Sequence, residues 1–179
     1  KVLSLLVVFI MVLGIGVSAF ACYGAEALGM GGAYTAVADG VLAIYWNQAG
    51  LAFSDNAYEF SGTYSTPQEN INYKSFTGGI HRYNDRLTLG YGVTTVGPGP
   101  IWGNKNIIIT NGRQTWNTIA AGYKVNENFA LGGAFRKVNW SYTVIEHYYG
   151  ELEDLYYASD VTTGIDLSAQ YRKDNLRLG

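Results

Sequence analysis

The chain has 179 residues, 15% of them charged and 15% aromatic, and this excludes a disordered segment, which would carry more charge and fewer rings. Its formal net charge is -2, and its 12 basic residues are scattered, never more than two together, and are outnumbered by 14 acidic ones, which excludes nucleic acid as a partner. With 23 Gly, 15 Tyr and only 3 Pro, the composition is that of strands on which small and aromatic side chains alternate.

At the N-terminus, Lys1 is followed by an almost unbroken apolar run from Val2 to Val17 and then by Ala19-Phe20-Ala21. A single positive charge, an apolar core and small residues flanking a cut site predict a signal peptide over 1–21, which leaves Cys22 first in the mature chain. A retained membrane helix is the competing reading, although the run falls short of the roughly 20 residues that a span requires. Cys22 is alone, so it forms neither an internal disulfide nor a zinc site. Ordinary cleavage and a lipid anchor on Cys22 both remain open.

Residues 26–52 read EALGMGGAYTAVADGVLAIYWNQAGLA, rich in Gly and Ala, with little charge and no sustained alternation. Asp39 is placed to cap a short helix over Val41 to Trp46, and Asn47 and Gly50 could end it in the left-handed region. Such a compact apolar unit suits the filling of a lumen.

Two stretches, GMGGAYTAVADG and IYWNQAGLA, resemble the N-terminal signature of the FadL-like hydrophobic-compound transporters and their PorV-like relatives, over about 27 residues. The family pattern is usually GMGGA-x-x-AVADD and YWNPAGLA, so this chain departs from it at Gly40 and Gln48. The resemblance implies an outer-membrane barrel with residues 22–54 folded inward as a plug. It implies plug or gating roles for Gly29, Met30, Gly31, Gly32, Asp39, Trp46, Asn47 and Gly50, with Ala38, Ala49 and Leu51 in the same motif. The implied activity is passive passage of hydrophobic small molecules, such as long-chain fatty acids or hydrocarbons, across the outer membrane. In the PorV-like branch, the implied partners are instead secretion-machinery proteins.

From about residue 55 onward, side chains alternate with period two, as strands with one greasy and one wet face require. Tyr58, Phe60 and Tyr64 begin the series, Phe76 and Ile80 mark a second strand, and Leu87, Leu89, Tyr91 and Val93 a third. Ile119 to Val125 marks a fourth and Phe129 to Phe135 a fifth, the latter blurred by Gly133 and Lys137. The clearest is the sixth, where Val161, Thr163, Ile165, Leu167, Ala169 and Tyr171 oppose a polar set that includes Asp166, Ser168, Gln170 and Arg172. Asn84-Asp85, Asn126-Glu127 and Asp174-Asn175 predict tight turns, whereas 97–111 and 142–158 are expected as long loops.

Short turns on one side and long loops on the other predict an all-β, antiparallel transmembrane barrel over 55–179, incomplete at about six strands and the start of a seventh. A soluble β-sandwich also yields alternating strands, but it leaves the signal peptide and the aromatics near strand ends unexplained. The expected partners are outer-membrane lipid and a hydrophobic ligand. No catalytic elbow, dinucleotide fingerprint or metal spacing stands out, so neither an enzyme nor a cofactor is expected. His81 falls on the less apolar face of a short strand and His147 in a long loop, so paired metal ligation is not expected. The acidic run Glu151, Glu153, Asp154 and Asp160 is expected to be a solvated loop rather than a calcium site.

Overall fold

The computed structural model describes residues 24–65, 73–99, 102–104, 107–148 and 151–179. The expected signal peptide and Cys22 lie outside them. The described chain is a short N-terminal segment followed by one antiparallel sheet.

The segment opens with helix α1 (Ala25–Gly29). Gly31 and Gly32 then take positive φ and return the Gly32 N–H to the Ala27 carbonyl at 2.8 Å, which ends the helix as a left-handed cap does. A 3-10 turn at Gly40–Leu42 runs into helix α2 (Ala43–Trp46), followed by a second 3-10 stretch at Gln48–Phe53. Asp39 occupies the expected N-cap position, but its side chain makes no capping hydrogen bond.

The ending of the helix differs from expectation. Asn47 is extended (φ -165, ψ 102), and Gly50 lies inside the second 3-10 stretch without a positive φ. Asn47 instead caps that second stretch, its side-chain oxygen accepting from the Ala49 N–H. The left-handed residue falls at Gly40 (φ +54).

The strands are β1 (Tyr58–Ser65), β2 (Tyr73–Arg82), β3 (Leu87–Gly99), β4 (Trp102–Asn104), β5 (Ile107–Asn126), β6 (Phe129–Tyr148), β7 (Glu151–Lys173) and β8 (Leu176–Leu178). They pair in the order β1-β2-β3-β5-β6-β7-β8, with β4 a spur on β5. Apart from that spur, this is the six strands and the start of a seventh read from the alternation. At two of the tight turns, Asn84 and Asn126 each accept two backbone N–H groups at 2.9 Å. At the third, Asp174 takes φ +50.

The expected long loops are largely strand. Residues 107–111 belong to β5, and 142–148 and 151–158 extend β6 and β7, so His147 and the acidic run also lie on strands. Long Ile, Val and Tyr stretches satisfy their backbone groups by pairing with each other. Tight turns therefore mark one end of the sheet, and long hairpins the other.

One sheet face carries the segment. Across it run Thr88, Gly122, Gly132 and Ser168 in one row, and Gly90, Ala120, Ala134 and Asp166 in the next. The opposite face holds exposed apolar side chains, including Phe60 (83% exposed), Ile165 (77%) and Leu167 (89%).

Strand β2 reverses this polarity. Phe76 (1% exposed) and Ile80 (3%), expected on the greasy outer side, pack against the segment, while Thr77 and His81 face out. Aromatic side chains of β1 cover this outer stripe: Tyr58 stacks on His81 at 4.6 Å and Phe60 lies over Gly79. The core of the described residues is thus one layer, with Val41, Ile44 and Leu51 of the segment against Phe76 and Ile80 of β2 and the alanines of β5 and β6.

Candidate functional site

The interface between segment and sheet is built for backbone approach. A Cβ on Gly122 would stand 2.7 Å from the Gln48 carbonyl and 2.8 Å from the Ala52 nitrogen, and one on Gly132 would overlap Ala49. Glycine at these two positions lets the second 3-10 stretch lie directly on β5 and β6.

Polar groups of β7 hold it there. Ser168 accepts the Ala49 N–H at 3.0 Å, Gln170 donates to the Ala36 carbonyl at 2.8 Å and the Ala38 carbonyl at 3.2 Å, and Arg172 donates to the Ala38 carbonyl at 2.9 Å. Arg172 also pairs with Asp39 at 3.3 Å and covers the Phe53 ring at 4.5 Å. From the segment side, the Asn47 amide donates to the Thr35 carbonyl at 3.0 Å and the Ala169 carbonyl at 3.2 Å. At the other edge, Glu59 of β1 accepts the Val41 N–H at 3.1 Å.

Arg136 of β6 forms a second node. It is ion-paired with Asp166, donates to the Tyr45 carbonyl at 3.1 Å, and lies 5.5 Å from the Tyr45 ring and 5.9 Å from that of Trp116. Tyr45 and Trp116 stack at 6.1 Å. Such an enclosed guanidinium holds the two rings and the carboxylate in one arrangement.

Two clefts flank the interface. One, of about 450 Å³, is bounded by Tyr45, Trp46, Asn47, Arg136, Asp166 and Leu167 and is mixed apolar and polar. The other, of about 310 Å³, lies near the tight-turn end and contains Glu26, Asp39, Asp55 and Glu59. Among the described residues no three acidic, His or Cys side chains converge to hold a metal ion, so this second cleft is an acidic surface. Glu26 accepts the Tyr34 hydroxyl proton in a 2.6 Å hydrogen bond. Burial first, and then this carboxylate, push the Tyr34 phenol well above its ordinary value.

The motif residues divide into two groups. Trp46, Asn47 and Gly50 lie in the packed interface, together with Ala38, Ala49 and Leu51, and Asp39 sits exposed at its margin, paired with Arg172. Gly29, Met30, Gly31 and Gly32 form the exposed end of α1; Met30 is 47% exposed, and a Cβ on Gly29 or Gly31 would meet nothing within 4 Å. Gly40 and Gln48, the two departures from the motif, both fit their surroundings. A Cβ at Gly40 would sit 2.5 Å from a Glu59 carboxylate oxygen, so a second Asp there would meet both a positive φ and a like charge. Gln48, at the first position of the 3-10 stretch, where Pro also fits, donates to the Ile44 carbonyl at 3.0 Å.

Sequence reasoning missed Arg136, Glu59 and the role of the wet face of β7. The available signal was the charge itself: Arg136, Asp166 and Arg172 stand on strand faces that a solvated surface alone does not explain. Comparison with protein families, characterised proteins and solved structures finds no match. Among the described residues, no helix is long and apolar enough to cross a membrane, which says nothing of crossing by strands.

Proposed function

We propose that this chain forms part of the wall and the plug of an outer-membrane β-barrel that passes hydrophobic small molecules, the segment 24–54 being the plug. The observation that carries this reading is the inside-out polarity of the sheet. Its apolar side chains are exposed, and its small and polar side chains are covered by a segment held through hydrogen bonds and ion pairs. A soluble sandwich buries the apolar face of each sheet, whereas a barrel in lipid turns it outward.

The plug is held by polar bonds over glycine and by one apolar layer, Val41, Ile44 and Leu51 against Phe76 and Ile80, and the cleft beside Tyr45 and Trp46 offers an apolar molecule a first foothold. The experiment is uptake of a labelled fatty acid or aromatic hydrocarbon by cells carrying the full-length gene and by a deletion strain. Faster uptake with the gene is expected, and equal rates remove the transport reading.

The length of β6 and β7, at 20 and 23 residues, favours a second reading. A transmembrane strand needs only about 9 to 11 residues, so the hairpin has surface to spare for a secretion partner, as in the PorV-like proteins. Affinity purification from mild detergent should then recover secretion components or cargo. A solitary barrel with normal secretion in the deletion strain removes that alternative.

A further inference from the structure

On the outer face of β5 and β6 the apolar side chains stop along one registered row, while β3 carries Val93 into that row and β7 carries Val161 and Tyr157 beyond it. Starting from the tight turns, Leu131 and Phe135 of β6, Ile165 and Leu167 of β7, and Ile119 and Tyr123 of β5 point outward. The next outward residues are Asn117, Lys137 and Thr163, paired directly across the three strands. Beyond them come Thr115, Asn139 and Val161, then Arg113, Ser141 and Ser159.

The height of this band matches a bilayer. From Phe129 to Lys137 the chain rises about 27 Å along the strand, or about 21 Å along the axis at a tilt of about 40°, close to the apolar band of about 25 Å on outer-membrane barrels. Aromatic side chains mark both margins: Tyr58, Tyr123 and Tyr171 near the turns, and Tyr64 and Tyr91 near the polar row. The Tyr91 hydroxyl donates to Asn117 at 2.9 Å, which ties one girdle residue to the row itself.

Above the band, the described outward residues of β3, β5, β6 and β7 up to Arg113, Ser141 and Ser159 carry two cations, Lys137 and Arg113, and no carboxylate. Both cations are exposed and neither has an ion pair in the described chain. The nearest acidic residue of β7, Asp160, alternates to the opposite face.

We infer that Lys137 and Arg113, with the amides of Asn117 and Asn139, form a site for the phosphate of a lipid headgroup at the margin of the membrane on the long-hairpin side. The inference rests on the barrel reading and adds to it the depth of the sheet in the bilayer and the class of lipid at its rim. Charge complementarity selects a phosphate not screened by its own cation, and the apolar band directly below supplies the contact for acyl chains.

The test uses the full-length protein in dodecyl maltoside, titrated with phosphatidic acid, phosphatidylcholine or inorganic phosphate while retained lipid is counted by native mass spectrometry. Phosphatidic acid is expected to bind, with apparent affinity reduced about fivefold in Lys137→Gln and about 30-fold in Lys137→Gln with Arg113→Gln. Lys137→Arg should retain most of the binding. Equal affinity in the double variant overturns the site, and competition by inorganic phosphate overturns the lipid as its occupant. Because both side chains are exposed and unpaired, the variants should melt as the parent does. A protein that stays monomeric in buffer without detergent removes the barrel reading before any lipid is added, which separates that failure from failure of the site.

Discussion

Gly132 of β6 lies directly beneath the backbone nitrogen of Ala49, with no space for a methyl group between them. The same N–H reaches Ser168 at 3.0 Å and Asn47 at 3.2 Å, so the approach is fixed from both sides. Backbone on backbone leaves no flexible side-chain end to move aside. Gly132→Ala is therefore expected to lift the 3-10 stretch from the sheet and to destabilise its docking by about 1–3 kcal/mol. Protease cleavage between residues 35 and 54 should become faster while the strands stay protected. Gly164→Ala is the control, since a Cβ there meets nothing within 4 Å; equal cleavage in both variants would contradict the close approach.

Asn47 concentrates the polar hold in one side chain, which is 2% exposed. Its amide serves two carbonyls, on Thr35 and Ala169, and its oxygen serves the Ala49 N–H. Asn47→Ala leaves those three backbone groups in place and removes their partner, with an expected loss of about 1–3 kcal/mol. Hydrogen exchange measured by mass spectrometry should rise in peptides covering 35–52 and stay unchanged in those covering β2 and β3. Unchanged exchange throughout would mean that the hold lies elsewhere, on Gln170 and Arg172.

How much of this arrangement the sequence reveals depends on whether a partner lies near or far along the chain. Alternation exposes Leu87 to Val93 and Val161 to Tyr171 as strands, and the Asn-led turns arise from local side-chain hydrogen bonds. The β2 reversal is invisible because Phe76 and Ile80 are apolar on either reading, and only contact with Val41 and Ile44, more than 30 residues earlier, decides which way they face. Arg136 likewise gains meaning only from Tyr45 and Asp166, each at least 30 residues away. The extended φ of Asn47 was hidden for a related reason: a residue that can stop one helix can also cap the next.

Tyr34 gives the segment a pH signature. Its hydroxyl is buried and bonded to Glu26, which disfavours the phenolate and raises its pKa in the folded state above the ordinary value of about 10. A raised pKa stabilises the folded form at every pH below the unfolded value, and this contribution fades as pH rises from there through the folded value. The parent should therefore lose stability above about pH 10 through this group, and Tyr34→Phe should flatten that part of the profile. Phenolate absorbance followed during alkaline titration should likewise show one late-titrating tyrosine in the parent that is missing in the variant. A Tyr34 that ionises together with the exposed tyrosines would sink this account of its surroundings.

The two faces of the β1-β2 hairpin make opposite demands on phenylalanine. Phe76 is 1% exposed and meets Gly78 and Gly92 under the segment, whereas Phe60 is 83% exposed and rests on Gly79 from outside. Phe76→Ala opens a cavity in the apolar layer between segment and sheet and should cost about 3–5 kcal/mol. Phe60→Ala removes a ring that touches little protein, and in detergent, which replaces the lost contacts, it should cost under about 1 kcal/mol. The assignment of faces predicts that order, and chemical unfolding of both variants in the same detergent measures it. Had Phe76 lain on the outer side, as its place in the alternation suggests, the order would be inverted, and Ile80, which shares its face, would have turned outward with it.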